Sequence, residues 1–348
     1  MDVQKNADRF DQAASSLPEN ISSVLAGIPR SVKANLAEIR LRVGRPVALS
    51  RGGQCWFVDK ESQLHNIPRH CFVVNGEDLS RSVVRMCSYS IHSHQQEFVN
   101  GYISLRGGHR AGICGTAVLK GESLAAVRDI TSINLRVARE IPGAANGLVE
   151  KIFRKSICGT LIVGVPASGK TTLLRDLARQ LSNGEAGQPL KIAVVDERGE
   201  LGAVYEGIPQ NDLGACSDIL TGYPKGVGIL TAVRTLSPDV IICDEIGAKA
   251  EVDSILDGLN CGVKIVATAH AATLEELLSR RQISRLLQNG AFDKIVLLGD
   301  AEAPGLIEKI VEVGELADEA VRFAAGRSML CDDGYLHGVG AVQTGGCD

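Results

Sequence analysis

Residues 164–171 read Gly-Val-Pro-Ala-Ser-Gly-Lys-Thr, which matches the pattern Gly-x-x-x-x-Gly-Lys-Ser/Thr. An apolar segment, 161–163, runs directly into this pattern, and leucines at helical spacing follow it. The glycines let the backbone N–H groups turn inward around an anion, and the helix that follows adds the positive end of its dipole. The strand, loop and helix together predict a phosphate-binding loop, called the P-loop below, in an α/β domain.

The P-loop also predicts particular contacts with a nucleotide. Lys170 is expected to reach the β- and γ-phosphates, and the Thr171 hydroxyl is expected to bind Mg²⁺. The predicted cofactors are therefore ATP and Mg²⁺. The residues expected to contact the nucleotide here are Gly164, Val165, Pro166, Ala167, Ser168, Gly169, Lys170, Thr171 and Thr172.

Two adjacent carboxylates follow a second apolar segment, where residues 240–243 precede Asp244 and Glu245. Asp244 is predicted to bind Mg²⁺, and Glu245 is predicted to orient and deprotonate the attacking water. The pattern alone is a common strand end, but downstream of a P-loop it favours nucleotide hydrolysis. A nucleotide kinase transfers the phosphoryl group to an acceptor and needs no base that activates water.

Three further sets of residues are candidates, each with a plainer alternative. His270 ends an apolar segment and is expected to sense the γ-phosphate, although a lone histidine is often only a hydrogen-bonded structural residue. Asp196 and Glu197 also follow an apolar segment and are expected to contact the nucleotide, unless they belong to a solvated loop. Arg234 is a candidate for phosphate contact or for a subunit seam, and otherwise a surface arginine. The predicted catalytic residues are Lys170, Arg234, Glu245 and His270.

Apolar segments alternate with helical segments after residue 159, which is typical of a parallel sheet with helical crossovers. Strands are predicted at 160–163, 191–196, 239–244, 264–269, 294–298 and 308–313. Helices are predicted at 170–181, 227–235, 250–259 and 274–287. The expected fold is α/β, with a mostly parallel sheet and helices on both of its faces.

The residues before this region predict a smaller α+β domain. Helical spacing of apolar residues over 17–28 is followed by alternation of apolar and charged residues over 38–43 and by a return strand at 47–49. A helix over 78–90 and strands at 102–105, 112–119 and 133–138 complete the pattern. The predicted domains are 1–142, 143–325 and a flexible tail, 326–348.

Composition excludes several classes of protein. The chain has 348 residues, of which 45% are apolar and 22% charged, so disorder, collagen-like repeats and a disulfide scaffold are excluded. No apolar run reaches the roughly 18–20 residues of a membrane span, and the first residues are too polar for a signal peptide. A cytoplasmic protein is therefore expected.

Charge is distributed unevenly along the chain. Residues 1–150 hold 18 basic and 14 acidic residues, and 14 of the basic ones are arginine, whereas the whole chain has a net charge of −4. Arginines at predicted strand edges and turns fit two roles: keeping exposed strands soluble, or completing the ATP site of a neighbouring subunit. They are Arg40, Arg42, Arg45, Arg106, Arg110, Arg136 and Arg139.

In their order along the chain, the motifs resemble those of the stage III sporulation protein AA family. In the second half these are the P-loop, 195–198, Arg234 with 238–247, and 267–271. Segments 38–46, 101–110 and 134–139 resemble the N-terminal motifs of that family, so the resemblance covers roughly residues 20 to 320. Two departures are Ala167, at a position where glycine is frequent and where alanine is expected to be harmless, and Asp244, where related secretion ATPases often have glycine.

That family is similar to the ATPases of type II and type IV secretion systems. The resemblance implies a RecA-like ATPase domain behind a smaller N-terminal domain, assembled as a homo-oligomeric ring that is expected to be a hexamer. It also implies the motor of a channel complex between mother cell and forespore in endospore formation. Membrane proteins of that complex would be its partners and would hold this cytoplasmic protein at the membrane.

Two other functions remain as alternatives. The arginine-rich first half fits a nucleic-acid-binding protein switched by ATP, but the acidic second half and the low aromatic content of 4% offer no stacking platform. No nucleic-acid partner is therefore expected. A small-molecule kinase is the third possibility, although the sequence contains no recognisable segment for a lid or for an acceptor pocket.

Overall fold

Two seven-stranded sheets organise the part of the chain that this computed structural model describes, which is residues 3–90, 95–99, 101–259, 262–300 and 302–316. The first sheet is antiparallel throughout and lies in the N-terminal part. The second is parallel except for its last strand. The tail predicted at 326–348 lies outside the described residues.

The described residues of the N-terminal part form five helices and seven strands. The helices are α1 Val3–Ala14, α2 Glu19–Ala26, α3 Arg30–Lys33, α4 Gly76–Met86 and α5 Gln95–Val99. The strands are β1 Glu38–Arg42, β2 Ala48–Arg51, β3 Gln54–Val58, β4 Leu64–His65, β5 Tyr102–Ser104, β6 Arg110–Lys120 and β7 Ser123–Arg136, in the order β4-β3-β2-β1-β7-β6-β5.

Alternation along β1 places one set of its side chains in the core of this sheet. Ile39 and Leu41 are fully buried, whereas Glu38, Arg40 and Arg42 lie on the opposite face. Helices α1, α2 and α4 add Phe10, Leu25, Leu79 and other apolar side chains to the same core. The predicted α+β character of this part is confirmed.

The second part builds the largely parallel sheet and its helices. Its strands are β8 Thr160–Val163, β9 Ile192–Asp196, β10 Ser217–Thr221, β11 Val240–Cys243, β12 Lys264–Ala269, β13 Lys294–Leu298 and β14 Ile307–Glu312. They lie in the order β10-β9-β11-β12-β8-β13-β14. The helices are α6 Asn146–Leu148 with a π-helical continuation Val149–Phe153, α7 Lys170–Ser182, α8 Lys225–Leu236, α9 Lys249–Leu259, α10 Leu274–Ser279 and α11 Arg281–Gln288.

Helices cover both faces of this second sheet. On one face, α7 packs Leu173, Leu177 and its other leucines against inward residues of β8 and β9. On the other face, α8, α9 and α11 pack against the alternate residues of the same strands. Strands buried on both faces explain the continuous apolar runs in the sequence. The predicted α/β fold with a mostly parallel sheet is confirmed.

The structure corrects the prediction of a single helix over 274–287. Arg280 has extended backbone angles, so α10 ends at Ser279 and α11 begins at Arg281. Apolar side chains of both helices face one core, and the uninterrupted apolar spacing therefore concealed the break. Strand β10 was not predicted because it lies at the sheet edge, where only Leu220 is buried.

Direct contacts join the two parts of the chain. Arg110 donates to a carboxylate oxygen of Glu200 at 2.8 Å, and the backbone N–H of Gly107 donates to Gln210 at 2.7 Å. The carboxylate of Glu140 accepts from the backbone N–H of Asp212 at 2.8 Å.

The hydrophobic core of the N-terminal part ends at Val137, and the core of the second part begins at Ala145. The proposed boundary between residues 142 and 143 falls between these two residues.

His109 is a buried histidine near these contacts, and it predicts a pH dependence of stability. Its ring is 1% exposed, its Nδ1 accepts from the backbone N–H of Ala138 at 3.0 Å, and burial together with Arg9 lowers its pKa to about 4. The unfolded chain binds a proton at about pH 6.5, so the free energy of unfolding falls as the pH drops from there toward 4.

We expect His109→Gln to remove most of this acid sensitivity. Between about pH 7.5 and pH 5, wild type should lose about 2 kcal/mol more unfolding free energy than the variant does. Urea unfolding at both pH values measures the difference, and His70→Gln, at an exposed position, is the control. Equal losses in wild type and His109→Gln would contradict the prediction.

Candidate nucleotide-binding site

The carboxyl ends of four neighbouring strands bring the predicted site residues except Arg234 together at one edge of the second sheet. The P-loop follows β8, Asp244 and Glu245 follow β11, and His270 follows β12. Asp196 is the last residue of β9, and Glu197 follows it. Strand β12 lies between β8 and β11, so the P-loop and the two carboxylates flank it. Ligands of open α/β sheets bind at this edge.

The P-loop ends in a helix start that has no side-chain cap. Gly169 is the N-cap of α7 with φ +91°, and a Cβ there would lie 2.7 Å from the backbone nitrogen of Gly305. That nitrogen donates to the carbonyl oxygen of Ser168 at 2.8 Å. Only glycine therefore fits at 169, and the first N–H groups of α7 remain available to an anion.

The remaining loop residues differ in exposure. Gly164 and Ser168 are buried, and the Ser168 hydroxyl has no hydrogen-bond partner among the described residues. Ala167 has φ +64°, a conformation that costs a non-glycine residue about 1–2 kcal/mol. The expectation that alanine does no harm to the loop stays a prediction. Pro166 is exposed, and Val165, Thr171 and Thr172 are half-buried.

Lys170 is buried and folded back over the loop. Its Nζ donates to the carbonyl oxygens of Gly164 at 2.7 Å and Val165 at 2.8 Å, and lies 3.3 Å from Nδ1 of His270. Burial lowers the pKa of Lys170, and the charge of Glu245 partly offsets this effect. The ammonium therefore donates to backbone carbonyl oxygens of the loop. The phosphate oxygens of a nucleotide would replace these carbonyl oxygens as its partners.

Glu245 lies between His270 and Arg198. Its Oε1 is 3.6 Å from His270 Nε2 and its Oε2 is 3.5 Å from Arg198 Nη1. Together with the contact between His270 and Lys170, these distances form a polar chain across the site. The side chain of Glu245 is 41% exposed, which leaves it accessible to water.

Asp244 is buried beside Glu245, and it is the better placed of the two to hold a cation. It is 6% exposed, and burial raises its pKa although Lys225 opposes the shift. Its Oδ1 lies 3.2 Å from Lys225 Nζ but forms no hydrogen bond in the described part of the chain. The Asp244 carboxylate and the Thr171 hydroxyl are hard oxygen ligands of the kind that Mg²⁺ prefers, and among the described residues Asp244 has no hydrogen-bonding task that a cation would disturb except its ion pair with Lys225.

Lys225 was not singled out from the sequence. It is the first residue of α8, is buried, and donates a hydrogen bond to the carbonyl oxygen of Glu245. The only local signal is Pro224 directly before it, which marks a helix start but says nothing about its neighbours. Its position beside Asp244 follows from how α8 packs on the sheet.

Asp196 and Glu197 occupy different surroundings. The Asp196 carboxylate is fully buried and accepts backbone N–H groups from Glu200 at 2.8 Å, Leu201 at 3.1 Å and Gly202 at 2.8 Å. It therefore holds its own loop, and binding of a nucleotide by Asp196 stays a prediction. Glu197 points toward Lys225, with 3.9 Å between Oε2 and Nζ.

The structure does not bring Arg234 to the P-loop of its own chain. Helix α8 starts with Lys225 at the site and runs back toward the opposite edge, so Arg234 lies about 13 Å farther along its axis. There the next residues meet the start of β9, where Lys191 Nζ donates to the carbonyl oxygen of Ser237 at 2.7 Å. Arg234 is exposed, and contact across a subunit seam stays a prediction.

The seven N-terminal arginines fall into three groups. Arg110 contacts Glu200 and lies over the ring of Tyr102, and Arg139 donates to the carbonyl oxygens of Lys33 and Leu36. Two others pair with Glu38 on the outer face of the first sheet. These two are Arg40 and Arg136. Exposed arginines without a side-chain partner among the described residues are Arg42, Arg45 and Arg106.

The fold and this site define a P-loop protein with a RecA-like domain behind a smaller α+β domain. The sequence profile of the family described as "Sporulation stage III, protein AA" matches residues 8–315. The stage III sporulation protein AA of Bacillus subtilis (strain 168) is 35% identical over 304 residues, which is 87% of this chain and 95% of that protein. The chain belongs to the stage III sporulation protein AA family, and the predicted resemblance is confirmed.

Solved structures share this fold at low sequence identity. The ATPase DotB of Legionella pneumophila is 15% identical with a TM-score of 0.51, over 87% of this chain and 85% of that chain. The pilus retraction motor PilT, solved with bound ADP, is 15% identical with a TM-score of 0.54, over 85% of this chain and 86% of that chain.

Within the described ranges, no helix is both long and apolar enough to cross a bilayer.

Proposed function

We propose that this chain is an ATP-hydrolysing motor of the secretion-ATPase type. The observation that carries the proposal is the convergence of Lys170, Glu245 and His270 within hydrogen-bonding or ion-pair distance at the edge of a RecA-like sheet. A P-loop lysine binds phosphate, and a carboxylate open to water provides a base for hydrolysis. Family membership supports a role in sporulation, and the fold of DotB and PilT is consistent with a motor.

Each residue at the site has a specific task in this proposal. Lys170 leaves the carbonyl oxygens of the loop and binds the β- and γ-phosphates, while the uncapped start of α7 binds the phosphate chain. Thr171 and Asp244 would hold Mg²⁺, which supplies charge neutralisation between the phosphates when bound. Glu245 orients water and accepts its proton, and His270 links Glu245 to the position of Lys170.

The assembly proposed for the motor is a homo-oligomeric ring, with six subunits expected. An arginine of the N-terminal part would complete the nucleotide site of the neighbouring subunit. Arg110, Arg136 and Arg139 are engaged within their own chain, which favours Arg106 among these four for this role. In the cell we place the ring in the cytoplasm, at membrane proteins of a complex that joins mother cell and forespore, with no nucleic-acid partner.

Two measurements test the shared site. We expect ATP turnover per molecule to rise with protein concentration, because each site is complete only in the ring. Mixing Arg106→Ala with Lys170→Ala should restore part of the turnover that each variant lacks, since some seams then pair an intact lysine with an intact arginine. Arg128→Ala, an exposed arginine on β7, is the control for Arg106.

A flat turnover per molecule, together with no complementation in the mixture, would contradict the ring. In that case each subunit would work alone, and an ATP switch on a nucleic-acid-binding protein would become the better reading. Binding of nucleic acid that weakens steeply with salt and needs the exposed arginines would support that alternative.

A further inference from the structure

The ammonium of Lys225 lies where the oxygens of four residues converge, beside the residues proposed to hold the metal. Its Nζ is 3.2 Å from Asp244 Oδ1, 3.6 Å from Glu251 Oε1 and 3.9 Å from Glu197 Oε2. It also donates a hydrogen bond to the carbonyl oxygen of Glu245. The side chain is 5% exposed, so its charge is balanced by these groups rather than by water.

Glu251 is held in place to receive this cation. Its Oε2 accepts the backbone N–H groups of Gly247 and Ala248, each at 2.8 Å, at the start of α9. The other oxygen, Oε1, faces Lys225. The carboxylate therefore cannot turn away from Lys225 without losing two hydrogen bonds that start the helix.

Asp244 cannot serve Lys225 and a metal ion equally well. A divalent cation on Asp244 and an ammonium within about 4 Å of the same carboxylate repel each other strongly in a buried site. The carboxylates of Glu251 and Glu197 already lie 3.6 Å and 3.9 Å from the Lys225 ammonium, so a small shift of the ammonium would pair it with them instead of with Asp244. The hydrogen bond to the Glu245 carbonyl needs no change at all.

We propose that Lys225 is a tethered cation that balances Asp244 while the site is empty and shifts to Glu251 and Glu197 when metal-bound nucleotide arrives. This inference rests on the proposed function, because it takes the metal–nucleotide complex as ligand. Lys225 is a positioning residue: through the Glu245 carbonyl it holds the peptide between Glu245 and Ile246 in both states. It also sets how much Mg²⁺ the site needs, because the metal must displace it from Asp244.

The test titrates Mg²⁺ at a fixed concentration of a fluorescent ATP analogue and measures binding. Lys225→Met should reach half-saturation at about tenfold lower Mg²⁺ than wild type, because the competing cation is gone. Its turnover should nevertheless fall about 100-fold, because the peptide that carries Glu245 is no longer held. A simple structural defect would weaken binding and turnover together.

Two further variants separate charge from shape. Glu251→Gln keeps an oxygen for Gly247 and Ala248 but removes the charge that receives Lys225, so its Mg²⁺ requirement should rise about tenfold. Lys225→Arg keeps the charge and should stay within about threefold of the wild-type requirement. Lys249→Met, the matched loss of an exposed lysine on α9, should match wild type in both measurements.

Opposite shifts for Lys225→Met and Glu251→Gln would support the proposal. A requirement for Mg²⁺ in Lys225→Met equal to or above that of wild type would overturn it. If Lys225→Met does not fold, as judged by thermal unfolding, an unchanged requirement in Glu251→Gln overturns it instead. If wild type binds no nucleotide at any Mg²⁺ concentration, the proposed function is overturned as well. If wild type binds nucleotide but the Mg²⁺ requirement of the variants equals that of wild type, this inference alone is overturned.

Discussion

Glu245→Gln is expected to bind ATP about as tightly as wild type and to turn it over on the order of 10³-fold more slowly. Glutamine fills the same volume and can still contact His270 and Arg198, so the surroundings of the phosphates are preserved. It cannot accept the proton of the attacking water. Binding and hydrolysis therefore separate in this variant, which a defect in folding would not do.

The measurement is single-turnover hydrolysis of labelled ATP, together with equilibrium binding of a fluorescent analogue. Glu150→Gln makes the same chemical change at an exposed position and serves as the control. Turnover of Glu245→Gln within a few-fold of wild type would remove Glu245 from the role of base. Asp244 or Glu197 would then have to be tested in that role.

Lys170→Ala is expected to weaken nucleotide binding about 100-fold and to abolish measurable turnover. The ammonium is the buried positive charge nearest to the loop, and its carbonyl partners Gly164 and Val165 are already paired with it. Without it, those carbonyl oxygens would face the phosphates and repel them. The loss should therefore exceed that of one ordinary hydrogen bond.

Isothermal titration with ATP and with ADP measures this effect, and Lys155→Ala is the control at an exposed position. Because Lys170 is expected to contact the terminal phosphates, the loss should be larger for ATP than for ADP. Equal losses for both nucleotides would contradict that placement. Unchanged affinity for both would contradict nucleotide binding at the P-loop.

Local motifs made the central part of the site predictable. The P-loop, Asp244 and Glu245 each follow a buried strand directly, and parallel strands place their carboxyl ends at one edge of the sheet. Sequence order along such strands is therefore enough to bring these residues together. His270 was predictable in the same way, because it ends the strand between them.

Helix α8 shows why the rest was not predictable. Arg234 is the candidate that the sequence offers, because it lies one helix before the strand that leads to Asp244 and Glu245. Lys225, at the other end of the same helix, is the residue that reaches Asp244. Which end of a crossover helix meets the site depends on its packing direction, and no local pattern in the sequence reports the contacts of one lysine.

The contact between Gly305 and the P-loop ties the signature motif to the far end of the domain. The peptide between Ser168 and Gly169 is supported by the turn between β13 and β14, which lies much later in the sequence. A chain emerging from the ribosome thus carries the complete motif long before it has the residues that shape it. We therefore expect the loop to reach its nucleotide-binding shape only once the sheet is complete, and a chain that stops before Gly305 to bind nucleotide more weakly.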